Sequence, residues 1–320
     1  MRQFATPEID PKAALSTSAR PAEPSKLSWS PVWAATTLLV IAVVASFARS
    51  GLLLFAFLGV IVLAHEGGHL LAARRSGMKP TEYFWGFGPE IVAIEHNGCR
   101  YGIKAILAGG YVKLHGMTPT SELPEGITEQ DTYRSASHRG RLFTILAGPG
   151  VNLILAVLAF SAALMFEGVG ALDAFQQGVS LVWALTLATV EGLWLFFSGM
   201  EDYVRTVLGQ SETADAPVRF MSPVAQAQVS DLAVQSGLST TLRWFAILSC
   251  AIGIVNLLPF PPLDGSHAVV AVAEGVWQRV MRDPNATLDV TRLVPLAWVT
   301  LGILVFISLT ALVIDIRELL

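Results

Sequence analysis

Charge is scarce in this chain. Only 14% of its 320 residues are Asp, Glu, Lys or Arg, where soluble domains carry about 25%. So few polar groups cannot cover a water-facing surface, and much of the surface must face something else. Cysteine is nearly absent too. Cys99 and Cys250 lie far apart in no metal-type spacing, which excludes a disulfide framework and leaves two free thiols. No basic stripe is present and the net charge is only −4, so nucleic acid is not an expected partner. No cleavage site of the A-x-A type cleanly follows the first apolar run, which therefore reads as a retained helix rather than a signal peptide.

Hydrophobicity is what the chain has in abundance. Apolar residues make up 53% of it, and the mean hydropathy is +0.56. Crossing the hydrocarbon core takes about 20 apolar residues. Five runs meet that length, predicting helices at 31–48, 52–75, 142–166, 244–263 and 293–314. The Pro-, Ala- and Ser-rich residues 1–30 read as a disordered cytoplasmic tail. Residues 31–50 form an extra helix before a core of 51–320.

Sidedness follows from Lys and Arg. Residues 74–141 are rich in both, and 167–178 have acids but neither cation. The positive-inside rule puts the first stretch in the cytoplasm and the second outside. The segment 178–200 is apolar except for Glu191 and is long enough either to span or to lie in the interface as an amphipathic helix. The helix at 244–263 must then enter from outside, so residues 178–240 cross an even number of times. Zero is simplest. The segment is therefore expected on the outer surface as an interfacial or re-entrant helix, with Glu191 on its wet face.

Residues 75–140 carry a different pattern. Ile91–His96 and Arg100–Lys104 flank Asn97-Gly98-Cys99, and Asn-Gly between such runs signals a hairpin. Gly109–Leu114 reads as a further strand, and 117–135 as a polar loop. The fold class is thus an all-α polytopic membrane protein with a small membrane-associated antiparallel β element.

The chemistry centres on His65-Glu66-Gly67-Gly68-His69. On a helix, two imidazoles at i and i+4 share one face and can share a metal. Glu66 then points near a water held by that metal and can take its proton. Such a match arises by chance in on the order of one chain in a hundred of this length. Its setting adds weight, because ionisable groups in an apolar helix persist mainly around a polar cavity or a ligand. Gly67 and Gly68 suit close approach of a backbone or substrate, or ordinary small-residue packing. A catalytic zinc has three protein ligands, and the third must come from elsewhere. Asp264 is the best candidate, a carboxylate after Pro259, Pro261 and Pro262 in an apolar segment. Prolines open a helix, and Gly265 adds backbone freedom beside the carboxylate.

His65-Glu66-Gly67-Gly68-His69 with Leu263-Asp264-Gly265 resembles the site-2 protease family (peptidase family M50), the intramembrane zinc metallopeptidases. Gly86-Phe87-Gly88-Pro89, Tyr101-Gly102-Ile103-Lys104, Gly109-Gly110-Tyr111-Val112, Ala147-Gly148-Pro149-Gly150-Val151-Asn152 and Asn256 with Pro259 and Pro261 match in order and kind. The likeness covers residues 52–316 and is greatest to the bacterial, actinobacterial-type branch. It implies one Zn2+ per chain on His65, His69 and Asp264, with Glu66 as base. Asn256, Gly110, Tyr111, Val112 and Asn152 become candidates for substrate or oxyanion contacts. The hairpin would hold an unwound substrate as an added strand. The implied substrates are transmembrane proteins of the anti-sigma factor or remnant signal peptide type, cut in a bacterial plasma membrane, with the N-terminus cytoplasmic. The sequence departs from that branch in having no PDZ-like strand series in 167–242. His267 reads either as a group orienting Asp264 or as a solvated interfacial histidine. His96, His115 and His138 read as loop residues. A membrane protein that binds zinc and captures helices without cutting would need the same ligands but has no use for Glu66. A metal transporter would need ionisable residues staged across several helices, and the other segments have almost none.

Overall fold

The computed structural model describes residues 49–117, 123–207, 220–282, 288 and 293–319. The expected tail at 1–30 and helix at 31–48 lie outside them. Among the described residues, five helices are long and apolar enough to cross a membrane, and the only sheet has two strands in antiparallel pairing. The protein is a multi-pass helical membrane protein with a small β element.

Helix α1 (Arg49–Arg75) carries the His-Glu-Gly-Gly-His segment in its second half. It stops where Gly77 turns to φ +83. There Met78 N donates to Ala73 O at 3.0 Å and Gly77 N to Arg74 O at 3.2 Å, the paired bonds of a Schellman end. Met78 then packs on Ala73 in a cluster with Tyr133, Ile145 and Ala271.

The strands β1 (Glu82–His96) and β2 (Cys99–Lys113) are longer than the sequence suggested. Asn97 and Gly98 both have positive φ, at 50° and 71°, as a tight hairpin turn requires. Glu82–Trp85 lies between two stretches of β2, facing Arg100–Ile103 on one side and Gly110–Lys113 on the other. The expected third strand at 109–114 is thus mostly the far end of β2. The ribbon leans on α1: the Trp85 ring covers Gly59, where an added Cβ would meet it at 2.7 Å, and Phe55 lies 5.3 Å from that ring.

Helix α2 (His138–Phe166) is capped by the Ser137 side chain, which accepts from Gly140 N. It turns at 167–170 into α3 (Ala171–Ser198). The apolar 178–200 segment belongs largely to α3, and its placement differs from expectation. Gly178 abuts Ser161 and Val157 of α2, and Val182 packs with Ala156 and Phe160. The first half of α3 therefore packs back along α2, and by length and composition α3 is one of the five helices able to cross a membrane. The outer-surface expectation came from crossing parity, which an even number of crossings other than zero also satisfies. Glu191 is exposed on it.

Short α4 (Met200–Val207) and α5 (Pro223–Gln235) lead to α6 (Leu238–Asn256). Among the described residues of 167–242 there is no strand. α6 ends seven residues before the expected 263, and the proline-bearing residues 257–263 are not helical. A new helix α7 (Asp264–Met281) starts at the carboxylate itself, and α8 (Val294–Leu319) ends the chain's described part. The core is where α1, α2 and α6 meet. Small residues dominate it: Ala156, Ala159, Ala246 and Cys250 are buried at the α2–α6 contact. In a bilayer, lipid tails are as apolar as leucine, so close van der Waals packing of small residues holds such helices together. α8 is tied on through Tyr203 Oη and Thr310 Oγ1, 2.6 Å apart, and through Ser222 N donating to Asp315 at 3.0 Å.

Candidate metal centre

Three ligand groups from two distant parts of the chain meet. His65 Nε2 lies 2.9 Å from Asp264 Oδ2, His69 Nε2 lies 3.3 Å from the same oxygen, and the two Nε2 atoms are 3.1 Å apart. This is the one such group of potential metal ligands among the described residues. Nitrogen and oxygen ligands about 2.0–2.1 Å from a tetrahedral zinc stand about 3.3 Å from one another. The three side chains are therefore already spaced for one ion.

Their outer contacts point the same way. His69 Nδ1 lies 2.8 Å from the Thr144 carbonyl, to which it donates, so the proton sits on Nδ1 and the Nε2 lone pair faces the cluster. His65 Nδ1 lies 3.1 Å from the Asn152 carboxamide nitrogen. The Asn152 side-chain oxygen is buried with no hydrogen-bond partner among the described residues. Turning that amide by half a rotation puts the oxygen on Nδ1, and an acceptor there is what a metal-binding His65 needs. The donor set thus fits zinc.

Space is fixed as tightly as orientation. A Cβ at Gly148 would meet His65 Nε2 at 2.8 Å and His69 Cε1 at 2.6 Å. Only glycine lets α2 close on both rings. Gly68 answers in the other direction, since a Cβ there would meet the Ala147 carbonyl oxygen at 2.6 Å. At Gly68 the close approach is that of the neighbouring helix backbone, which is also small-residue helix packing, while Gly67 has the Tyr83 hydroxyl near it. Gly265 also serves by its size rather than by backbone freedom. Its Cα sits against the Leu257 and Leu258 carbonyls, where no side chain fits.

The cluster opens on a cleft of about 550 Å3 lined by Glu66, Gly109–Val112 and Asn256. A Cβ at Gly110 would be 3.0 Å from Glu66 Cγ, so this strand end lies against the carboxylate side chain. Tyr111 Oη donates to Glu82 and accepts from Lys104 Nζ at 2.7 Å. Burial and the Glu82 carboxylate raise the Tyr111 hydroxyl above its usual range. For Glu82 itself, burial acts upward, but the Lys113 and Tyr111 hydrogen bonds carry its carboxyl below the ordinary value.

Five candidates from the sequence, Glu66, Asn256, Gly110, Tyr111 and Val112, therefore line one cleft with the three ligands. Asn152 does not. It is fully buried behind His65, so its reading as a substrate or oxyanion contact is replaced by a role on the imidazole. The Asn256 amide donates to Ile252 O of its own helix at 3.0 Å. His267 lines the cleft and the adjoining cavity without a hydrogen bond to Asp264 among the described residues. His138 is no loop residue: it heads α2 and lies 2.7 Å from Gln278 of α7. Gly148 and Thr144 were not singled out as site residues from the sequence. A carbonyl acceptor and a missing side chain leave no chemical signature there.

Residues 53–298 match peptidase family M50. The chain belongs to that family. Zinc metalloprotease Rip1 of Mycobacterium tuberculosis is 40% identical over 119 residues, 37% of this chain and 29% of that protein. A protein of Clostridium acetobutylicum, named by inference as a zinc metalloprotease, is 26% identical over 300 residues, 70% of this chain and 87% of its own length. One of Brucella suis, named in the same way, is 23% identical over 318 residues, 68% and 84% of the two chains. The matched part of this M50 chain thus spans under a third of the mycobacterial relative. Family membership implies zinc and supports metalloprotease chemistry.

Proposed function

We propose that this M50 protein is a zinc endopeptidase that hydrolyses peptide bonds in or beside the transmembrane segments of membrane proteins. The observation that carries the reading is the convergence of His65, His69 and Asp264 beside Glu66. They meet on a helix whose basic end at Arg74 lies about 14 Å farther along. One zinc per chain would be held by the three side chains. Zinc bound there polarises a peptide carbonyl and makes nearby water a better nucleophile. Glu66 takes the proton of the attacking water as the new C–O bond forms, then gives it to the amine as the C–N bond breaks. Asn152 and the Thr144 carbonyl keep both imidazoles turned to the ion. A helical peptide bond is shielded, so the substrate must unwind first. The Gly109–Leu114 edge beside Glu66 supports its docking as an added strand, with Asn256 across the cleft near the scissile bond.

The same reading assigns the protein to a bacterial plasma membrane, with its N-terminus and residues 75–140 cytoplasmic, and substrates of the anti-sigma factor or remnant signal peptide type. Glu66 facing the cleft favours hydrolysis over helix capture alone. Reconstituted Glu66→Gln is expected to bind zinc as the parent does and to cut a transmembrane substrate at least 1,000-fold more slowly, on the order of a lost general base and more. Cleavage by that variant at the parental rate would overturn the mechanism.

A further inference from the structure

The basic ends of α2 and α7 enclose a second cavity that the proposed reaction does not use. Its volume is about 520 Å3. Arg139 of α2 and Arg279 and Arg282 at the end of α7 line it, above apolar Leu142, Val272 and Val276. All three arginines are exposed, and among the described residues none forms a salt bridge. Arginine's planar fork matches phosphate oxygens in pairs.

The cavity lies at the membrane boundary. α1 ends in Arg74 and Arg75, and Ser76 Oγ donates to Gly140 O at 3.3 Å, so the end of α1 and the start of α2 stand at one level. His138 meets Gln278 at 2.7 Å, which brings the second half of α7 to the same level. α7 is not among the helices apolar enough to cross. It exposes Val269, Val272, Val276 and Val280, with Trp277 beside them, a stripe at helical spacing. An apolar stripe ending in cations is how a helix lies along a bilayer surface.

An inorganic anion would satisfy the arginines but leave the valine and leucine floor wet. A lipid covers both. We propose that this groove binds an anionic phospholipid, with its phosphate held by Arg139, Arg279 and Arg282 and an acyl chain along Leu142, Val272 and Val276. The proposal stands apart from proteolysis but bears on it. α7 begins at Asp264, so a headgroup bridging α2 and α7 also ties down the helix that carries the third ligand.

The test uses the full chain in neutral detergent, with retained lipid read by native mass spectrometry. The parent is expected to keep phosphatidylglycerol at least tenfold more tightly than phosphatidylcholine. Cations near an anionic surface are worth enough for R139Q/R279Q/R282Q to weaken that retention by about 100-fold. R75Q/R100Q/K113Q, which removes three cations elsewhere, is expected to retain lipid as the parent does. Far-ultraviolet circular dichroism and elution as a single species report whether each variant is folded. Should the triple variant fail to fold, each single substitution is expected to weaken retention about fivefold. Undiminished retention by the groove variants, or equal loss in the control, would overturn the site. Displacement of the lipid by millimolar inorganic phosphate would make it a free-anion site and overturn the lipid.

Discussion

Asn152 and Gly148 have no reactive chemistry of their own, yet both touch the imidazoles. Asn152 is the partner of His65 Nδ1. Removing such an outer contact commonly weakens metal binding by about 10–100-fold. Asn152→Ala is expected to lower zinc affinity by that factor with the helical content unchanged, measured by competition with a chelator. Parental affinity would return Asn152 to the substrate side. Gly148→Ala is expected to lose zinc outright, because its methyl would stand where the two rings stand. Gly150 has nothing within 4 Å of an added Cβ, so Gly150→Ala is expected to keep zinc. It also removes a helix penalty of about 1 kcal/mol. Equal zinc content in the two alanine variants would show that α2 shifts freely.

At the level of elements, α2 and α7 are joined by a buried ion pair. Arg141 Nη1 donates to Glu274 at 2.6 Å, and the two residues are 8% and 6% exposed. Leu288 N adds a bond to Glu274 at 3.0 Å, and the Arg141 guanidinium lies 5.7 Å from the centre of the Tyr133 ring. Breaking a buried pair from one side leaves a charge without its partner and costs about 3–5 kcal/mol. Arg141→Met alone is therefore expected to lower the thermal midpoint sharply. Arg141→Met with Glu274→Leu is expected to recover most of it, since a packed apolar pair is often neutral. A double variant no more stable than the single one would show that the pair's other contacts matter more than its charge.

For the molecule as a whole, helix length bears on depth. α3 has 28 residues and is about 42 Å long, more than the roughly 30 Å hydrocarbon core. By length and composition it is able to cross that core, and its first half packs on α2. Cysteines placed at Trp183 and Leu187, both exposed on α3, are expected to escape a membrane-impermeant maleimide in intact cells and to react after solubilisation. The two native thiols are buried and should stay silent. Labelling from outside at both positions would put α3 on the surface, as charge counting alone had it.

Much of this protein was legible in its sequence. Apolar run length marks a helix that must satisfy its own backbone in lipid, so α1, α2, α6 and α8 announced themselves. Asn97-Gly98 marked a turn that few other pairs can make. His65, Glu66, His69 and Asp264 could be named because costly groups in apolar segments need a ligand to justify them. Three things were decided only by tertiary structure. Asp264 reaches the imidazoles because α6 stops at Asn256 and α7 starts anew, a geometry that three prolines permit but do not specify. Asn152 turned from substrate contact to imidazole partner because its direction depends on how α2 faces α1. And α3 folds back on α2 across the short turn 167–170, with Gly178 closing on Ser161, an inter-helix contact that run length alone does not record.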